Sequence, residues 1–162
     1  MVACNKDTPV IFLLHNPLSL KPTYPIGRLP PDKEHRSEDE FMRSFYPLGR
    51  ERILKAISQC RKVVGIFCGH VHISDITFPN GLLHCATPAM IEYPFEMRHV
   101  SVDDAGLSIT TFGLRESFFA GKSFVPQWKN RWVAGKKEDR VYSAKFSSRD
   151  RARRLVADAK KI

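Results

Sequence analysis

Histidines follow two short apolar runs of this 162-residue chain. His15 comes directly after residues 9–14, and His70 and His72 come directly after residues 63–68, in a Gly-His-Val-His motif. A short apolar run that is rich in β-forming residues and is ended by Pro or Gly is typical of a buried strand. Open α/β sheets bind their ligands where such strands end. Because neutral imidazole offers a lone pair at physiological pH, the three histidines are candidate metal ligands.

The spacing of His70 and His72 predicts that both imidazoles serve one compact site. Side chains at positions i and i+2 of an extended segment point to the same side, and Gly69 allows the chain to turn sharply as the strand ends. Three imidazoles with an open fourth position can hold one catalytic zinc ion, so His15, His70 and His72 could together bind a single metal.

The segment between the two apolar runs is predicted to be a loop followed by helices. Five prolines between Pro17 and Asp32 exclude a helix or a central strand there. A helical pattern begins at the capping residue Ser37, is interrupted by Pro47 and Gly49, and resumes over residues 50–60. In that second helix, three apolar residues share one face: Ile53, Leu54 and Ile57.

The strand signals predict a mixed α/β sheet. The first two strands are joined by a helical crossover, which favours a parallel pair. Residues 73–78 and 82–87 flank an Asn-Gly turn, and residues 97–102 and 107–112 flank an Asp-Asp-Ala-Gly turn, so each pair is predicted to form a hairpin.

The two histidine segments resemble the C-terminal part of the calcineurin-like metallophosphoesterase superfamily. The resemblance rests on VIFLLHNPL and VVGIFCGHVH, and on the closing strands that include Thr87-Pro88-Ala89 and residues 98–102. It covers roughly residues 9–114. It implies an α/β fold over residues 1–116, a mixed β-sheet sandwich with flanking helices that forms the C-terminal half of a four-layer fold. Residues 117–162 are predicted to form a basic, loop-rich extension that ends in an amphipathic helix over residues 147–161.

The resemblance also implies a chemistry, the hydrolysis of a phosphomonoester or phosphodiester by a metal-activated water. Such enzymes hold two divalent metal ions about 3.5–4 Å apart. Carried over by position, His15 and His70 bind one ion and His72 binds the other. Imidazole suits Mn, Fe, Zn and Ni, so the identity of the metal is left open.

Several motifs of the same family are absent from this sequence. It contains no Asp-x-His, no Gly-Asp and no Gly-Asn-His-Asp/Glu, which supply the family's bridging carboxylate and its catalytic histidine. No catalytic residue is therefore assigned. The expectation is that the chain is a C-terminal piece of a longer enzyme, inactive or nearly so without its N-terminal half as a partner.

The basic charge is concentrated near the C-terminus. The net charge is +9, and residues 128–162 contain 12 Lys and Arg against 4 Asp and Glu. A solvated helix face is the favoured interpretation. Lysines and arginines beside Trp128 and Trp132 could instead bind nucleic acid, or the tail could contact a protein or an acidic membrane surface. The alternative function is thus a non-catalytic domain that binds a partner or nucleic acid through this tail.

The cellular setting is predicted from cysteines and hydropathy. The four cysteines form no C-x-x-C pair and are interpreted as reduced, mostly buried thiols. The sequence has no signal-peptide layout and no apolar run of the roughly 20 residues that a membrane span needs. A cytoplasmic protein without a membrane span is expected.

Four further polar residues have predicted roles. Asp75 is interpreted as a solvent-facing residue at a strand edge, in preference to a carboxylate behind the metal ligands. His84 is assigned a structural role. Asn16 is expected to begin a turn, although it could touch a phosphate. The role of Arg98 is left open: it is either a cation on the substrate side or a charge on an edge strand.

Overall fold

The described residues of the computed structural model are 9–22, 44–60, 62–113, 122 and 130–145. They form a mixed α/β fold with two β-sheets and few helices, which confirms the predicted class. Most of the predicted helix beginning at Ser37, most of the proline-rich loop and the predicted helix over residues 147–161 lie outside them. Residues 44–45, at the end of the first predicted helix, are helical. In the described part of the chain, no helix combines the length and the apolar character needed to cross a membrane.

The elements follow the order that the sequence predicts up to residue 113. The strands are β1 (Val10–Leu14), β2 (Val63–Cys68), β3 (Asp75–Thr77), β4 (Leu83–Ala86), β5 (Glu96–Val102), β6 (Gly106–Gly113) and β7 (Val141–Lys145). Helix α1 spans Arg50–Gln59, and short 3₁₀ helices span Pro79–Gly81, Asn130–Ala134 and Lys137–Asp139.

The first sheet has the strand order β1-β2-β4-β3. Strand β1 pairs with β2 in parallel, as predicted, and Leu14 lies opposite Cys68. The predicted β3–β4 hairpin is also present as an antiparallel pair. The sequence does not predict that β4 inserts beside β2, in parallel, with Ala86 opposite Cys68. Three parallel strands therefore end at the same edge of this sheet.

The second sheet is antiparallel, with the order β5-β6-β7. The predicted hairpin of β5 and β6 is confirmed. Strand β7 pairs with β6 over residues 106–110 and was not predicted, because the residues after Leu114 show no regular pattern. Part of the basic extension is thus a strand of the second sheet.

Apolar side chains pack on both faces of the first sheet. On one face, Phe67, Leu83 and Cys85 meet residues of the second sheet, including Leu107 and Ile109. On the other face, Val63, Ile66 and Leu82 pack against α1 through Leu54 and Ile57. Ile53, which was predicted to share that helix face, is 38% exposed. The helix contacts the sheet through a narrower stripe than its sequence indicates.

Two of the cysteines lie in this core. Cys68 and Cys85 are free and buried, Cys60 is free and exposed, and Cys4 lies outside the described residues. Burial raises the pKa of the Cys68 thiol to about 12 and that of the Cys85 thiol to about 11. Both remain protonated at neutral pH, which makes them packing residues and poor nucleophiles.

A buried cluster of charges joins distant parts of the chain. The Lys21 ammonium contacts the carboxylates of Asp75 and Asp139, which are both fully buried. The prediction that Asp75 faces solvent is therefore wrong. Strand β3 is an outer strand of the sheet. Residues 132–140 nevertheless cover it, and Ser74 N–H donates a hydrogen bond to the Val133 carbonyl.

Asp139 accepts several hydrogen bonds in this cluster. Its carboxylate accepts from the backbone N–H groups of Ile76 (3.2 Å) and Lys136 (2.9 Å), besides its contact with Lys21. Arg98 donates to the carbonyl oxygen of Asp139 (2.8 Å) and to Ser74 Oγ (2.8 Å). The guanidinium of Arg98 thus binds groups of the protein itself.

Residues 132–140 lie very close to the chain segment that follows His72. Gly135 has φ +67°, and a Cβ atom built on it would lie 2.1 Å from the Ser74 carbonyl oxygen. Any other residue there would need both a left-handed conformation and a displaced backbone. This close approach fixes the position of the segment that connects the histidine motif to β3.

Replacement of Asp139 by Ala should destabilise the protein strongly. The change leaves the Lys21 ammonium without one of its partners and two backbone N–H groups without an acceptor. Loss of one member of a buried ion pair costs about 3–5 kcal/mol. Urea unfolding would measure this difference. The neighbouring exposed Glu138→Ala is the control and should stay within about 0.5 kcal/mol of wild type. A loss below about 1 kcal/mol for D139A would contradict the assigned role.

Candidate functional site

Three loops meet at the edge where β1, β2 and β4 end. His15 follows β1, the Gly-His-Val-His motif follows β2, and the loop over residues 87–95 follows β4. Backbone hydrogen bonds extend the pairing past the strand ends, since Gly69 N–H donates to the His15 carbonyl (3.1 Å) and Thr87 N–H donates to the Cys68 carbonyl (2.8 Å). The parallel pairing therefore brings the side chains of these loops to one place.

His15 and His70 contact each other directly. His15 Nε2 lies 3.0 Å from His70 Nδ1, and His70 Nε2 lies 2.5 Å from the Ser44 carbonyl oxygen. A carbonyl oxygen can only accept a hydrogen bond, so His70 Nε2 carries the proton in that contact. In the neutral ring, Nδ1 then has the lone pair, and that lone pair faces His15.

This pair has a geometry that suits two ligands of one metal ion. Nitrogens bound at about 2.0–2.1 Å to a tetrahedral ion lie about 3.3–3.4 Å apart, close to the 3.0 Å found between His15 Nε2 and His70 Nδ1. Without a metal, the same approach is satisfied by a hydrogen bond from His15 to His70. The His15 side chain is exposed, so the pair is accessible from solvent.

The backbone of the motif is not extended, contrary to the prediction. His70 has φ 64° and His72 has φ 52°, both in the left-handed region. Side chains in this conformation do not follow the i and i+2 rule of a strand, and the two histidines accordingly contact different groups. His72 Nδ1 lies 2.5 Å from Glu92 Oε1. Two left-handed residues so close together are backbone strain of the kind that clusters at functional sites.

The helical residues 44–45 lie beside the histidines. The Asn16 side-chain amide lies 3.4 Å from the carbonyl oxygens of both Ser44 and Phe45. These contacts use the side-chain N–H groups of Asn16, and its predicted role in beginning a turn stays a prediction. The Phe45 ring also lies edge-on to His70, with 6.4 Å between ring centroids.

Of the three predicted ligands, the structure brings His15 and His70 together and pairs His72 with Glu92. Within residues 9–22, 44–60, 62–113 and 130–145, no three His, Cys, Asp or Glu side chains are grouped so that they could hold a metal ion. Among the described residues, His15 and His70 thus form one contact pair, and His72 and Glu92 form another. No family model and no curated protein matches this sequence.

Sequence reasoning did not single out Glu92. The glutamate lies in the loop after β4, and the hairpin signal at Asn80-Gly81 identifies β4 only as the partner of β3. The parallel pairing of β4 with β2 places this loop beside the histidines. Treating the apolar run before Thr87 as a third parallel strand would have drawn attention to the acidic residue that follows it.

The segment after His15 is attached to the centre of the sheet by His84. The Leu18 backbone N–H donates to His84 Nε2 (3.0 Å), and the imidazole is fully buried. This confirms the structural role predicted for His84. Because Nε2 accepts, the proton of the neutral ring is on Nδ1. Burial lowers the pKa of His84 to about 4.

The free energy of unfolding should fall as the pH drops below about 6.5, the pKa of an ordinary histidine. His84 stays neutral in the folded protein until about pH 4, whereas the unfolded chain binds a proton near pH 6.5. The unfolded state thus binds more protons between these values, so the free energy of unfolding should decrease by about 3 kcal/mol from pH 7 to pH 4. Urea unfolding across this range measures the slope.

Two variants isolate the contribution of His84. His84→Gln keeps an acceptor for Leu18 N–H and removes the titration, so its stability should depend much less on pH than that of wild type. His99→Gln changes an exposed histidine of β5 and should retain the wild-type slope. Equal slopes for H84Q and wild type would show that His84 is not the group responsible.

Proposed function

We propose that this chain contributes the histidine half of a metal-dependent phosphoesterase site, within the four-layer fold of the calcineurin-like metallophosphoesterases. The observation that carries the proposal is the direct approach of His15 and His70, each placed after one of two adjacent parallel strands. The sequence resemblance assigns these two histidines to one metal ion, and their 3.0 Å separation is consistent with that assignment.

The residues of the chain prepare the site in three ways. The Ser44 carbonyl accepts the Nε2 proton of His70 and so directs the Nδ1 lone pair towards His15. The Gly69 N–H holds the His15 backbone beside the motif. The left-handed backbone at His70 and His72 turns the two imidazoles to different partners. These contacts fix the imidazoles before any ligand binds, which reduces the ordering cost of binding.

Divalent cations bound here would act as Lewis acids that stabilise charge on the attacking and leaving oxygens of a phosphate ester. His15 and His70 would hold one ion, and His72 would be available to the other. The bridging carboxylate and catalytic histidine motifs of the family are not in this sequence, so turnover by the chain alone should be low. Metal binding is thus the property that tests the proposal most directly.

The chain should bind Zn²⁺ or Mn²⁺, and His15→Ala or His70→Ala should abolish most of that affinity. Removal of a ligand should weaken binding by more than the roughly 10–100-fold that is lost with an outer-sphere partner. Isothermal titration calorimetry with each metal alone measures the affinity. His99→Ala, on the exposed face of the second sheet, is the control. Undetectable binding by wild type, or equal binding by wild type, H15A and H70A, would contradict the proposal.

A second candidate function is favoured by the uneven charge. Residues 146–162 contain six Lys and Arg against two Asp, and they follow the last described strand. Binding of nucleic acid by this tail would depend steeply on salt, because each neutralised phosphate releases a counterion. A deletion that tests this binding should begin at residue 146, because a deletion from residue 128 would also remove Asp139 and β7.

Deletion of residues 146–162 should therefore separate the two candidate functions. If the tail binds nucleic acid, the deletion should abolish salt-dependent binding of a fluorescent oligonucleotide while metal affinity is unchanged. Fluorescence anisotropy at low and moderate salt measures this effect. Binding that is absent in wild type, or that persists after the deletion, would contradict a nucleic-acid role for the tail.

A further inference from the structure

Glu92 is presented to the histidines by a tightly hydrogen-bonded loop. The loop begins where Thr87 N–H pairs with the Cys68 carbonyl, at the end of β2. It is closed by hydrogen bonds from Phe95 N–H to the Glu92 carbonyl (2.7 Å) and from Glu96 N–H to the Ala89 carbonyl (3.0 Å). The position of Glu92 is thus set by backbone contacts on both sides of it.

The contact between Glu92 and His72 selects one form of the imidazole ring. An ionised carboxylate has only acceptor atoms, so the 2.5 Å contact of Glu92 Oε1 with His72 Nδ1 requires the ring to donate from Nδ1. In the neutral ring, the lone pair is then on Nε2. His70 is held in the opposite tautomer, since its Nε2 donates to the Ser44 carbonyl.

A histidine that binds a metal commonly donates its other ring N–H to a carboxylate or a carbonyl. This outer contact fixes the tautomer and the orientation of the ring, and raises its basicity as a ligand. Both histidines of the motif show such a contact, one to a carbonyl and one to a carboxylate. The sequence resemblance names His72 as a ligand, but it gives no residue that orients the ring.

We propose that Glu92 is a positioning residue that holds His72 in the Nδ1–H tautomer and keeps Nε2 available to a divalent cation. The link to metal binding rests on the proposed function, whereas the tautomer of His72 can be measured without any metal. The pair is partly exposed, with 53% of the Glu92 side chain and 38% of the His72 side chain accessible. Ion pairs at such positions contribute about 0–1 kcal/mol, so Glu92 variants should fold.

Nuclear magnetic resonance of the imidazole nitrogens at pH 8, on the metal-free chain, tests the tautomer. Wild type and Glu92→Gln should both show the Nδ1–H form of His72, because the glutamine carbonyl can accept the same hydrogen bond. Glu92→Leu should show the Nε2–H form or a mixture. Glu51→Leu, on the exposed side of α1, is the control and should match wild type. Retention of the Nδ1–H form in E92L would overturn the proposal.

Calorimetry with Zn²⁺ or Mn²⁺ tests the consequence for binding. E92L should weaken the affinity by about 10–100-fold, and E92Q should restore most of it. In a His72→Ala background, E92L should have no further effect, because Glu92 acts through His72. Additive losses in the double variant would overturn the proposal.

The two experiments also separate this inference from the proposed function. If H15A and H70A lose metal binding but E92L does not, the role of Glu92 is wrong and the proposed function stands. If wild type binds no metal, the proposed function is wrong and so is the link from Glu92 to a cation. A change of tautomer in E92L would then still support the contact between Glu92 and His72.

Discussion

The parallel pairing of β1 with β2 and of β2 with β4 is the constraint on which the rest of the structure depends. Parallel neighbours end at a common edge, so three loops that are far apart in sequence must meet there. Strand β2 lies between its two partners and is buried along its whole length. The approach of His15 to His70, and of His72 to Glu92, follows from this pairing and from the short distance of each residue beyond its strand.

A buried cluster of charges also holds the loops that follow the parallel strands. Carboxylates as deeply buried as those of Asp75 and Asp139 are tolerated only when they are paired and hydrogen-bonded. Lys21 supplies the pairing, and the N–H groups of Ile76 and Lys136 supply hydrogen bonds. The segment after His15 and the segment after His72 are thereby joined through the same cluster. The positions of the candidate ligands therefore depend on residues that have no part in binding.

The sequence predicted those features that local patterns determine. Apolar runs ended by Pro or Gly identified β1 and β2, and Asn80-Gly81 identified the β3–β4 hairpin. The family resemblance assigned His15 and His70 to one ion, and the two side chains do lie together; the spacing argument had instead grouped His70 with His72. Each of these predictions uses residues within one short window, or two windows joined by a single crossover.

The features that the sequence did not predict depend on contacts between distant segments. The parallel pairing of β4 with β2, and hence the place of Glu92, has no local signal. Asp75 was expected to face solvent because its strand lies at the edge of the sheet. The residues that cover this edge lie beyond position 130, and nothing near Asp75 in the sequence indicates them. The left-handed backbone at His70 and His72 is likewise imposed by surroundings, since an apolar run followed by Gly-His-Val-His is equally compatible with an extended chain.

The distance along the chain between Ile76 and Asp139 has a consequence for how the protein is made. These partners are 63 positions apart, and a ribosome adding 5–20 residues per second needs roughly 3–13 s to synthesise that interval. During this time the nascent chain already contains Lys21 and Asp75, but not the carboxylate that completes their cluster. The histidine loops should therefore reach their final arrangement late in translation, after both apolar strands that precede them have been available for pairing.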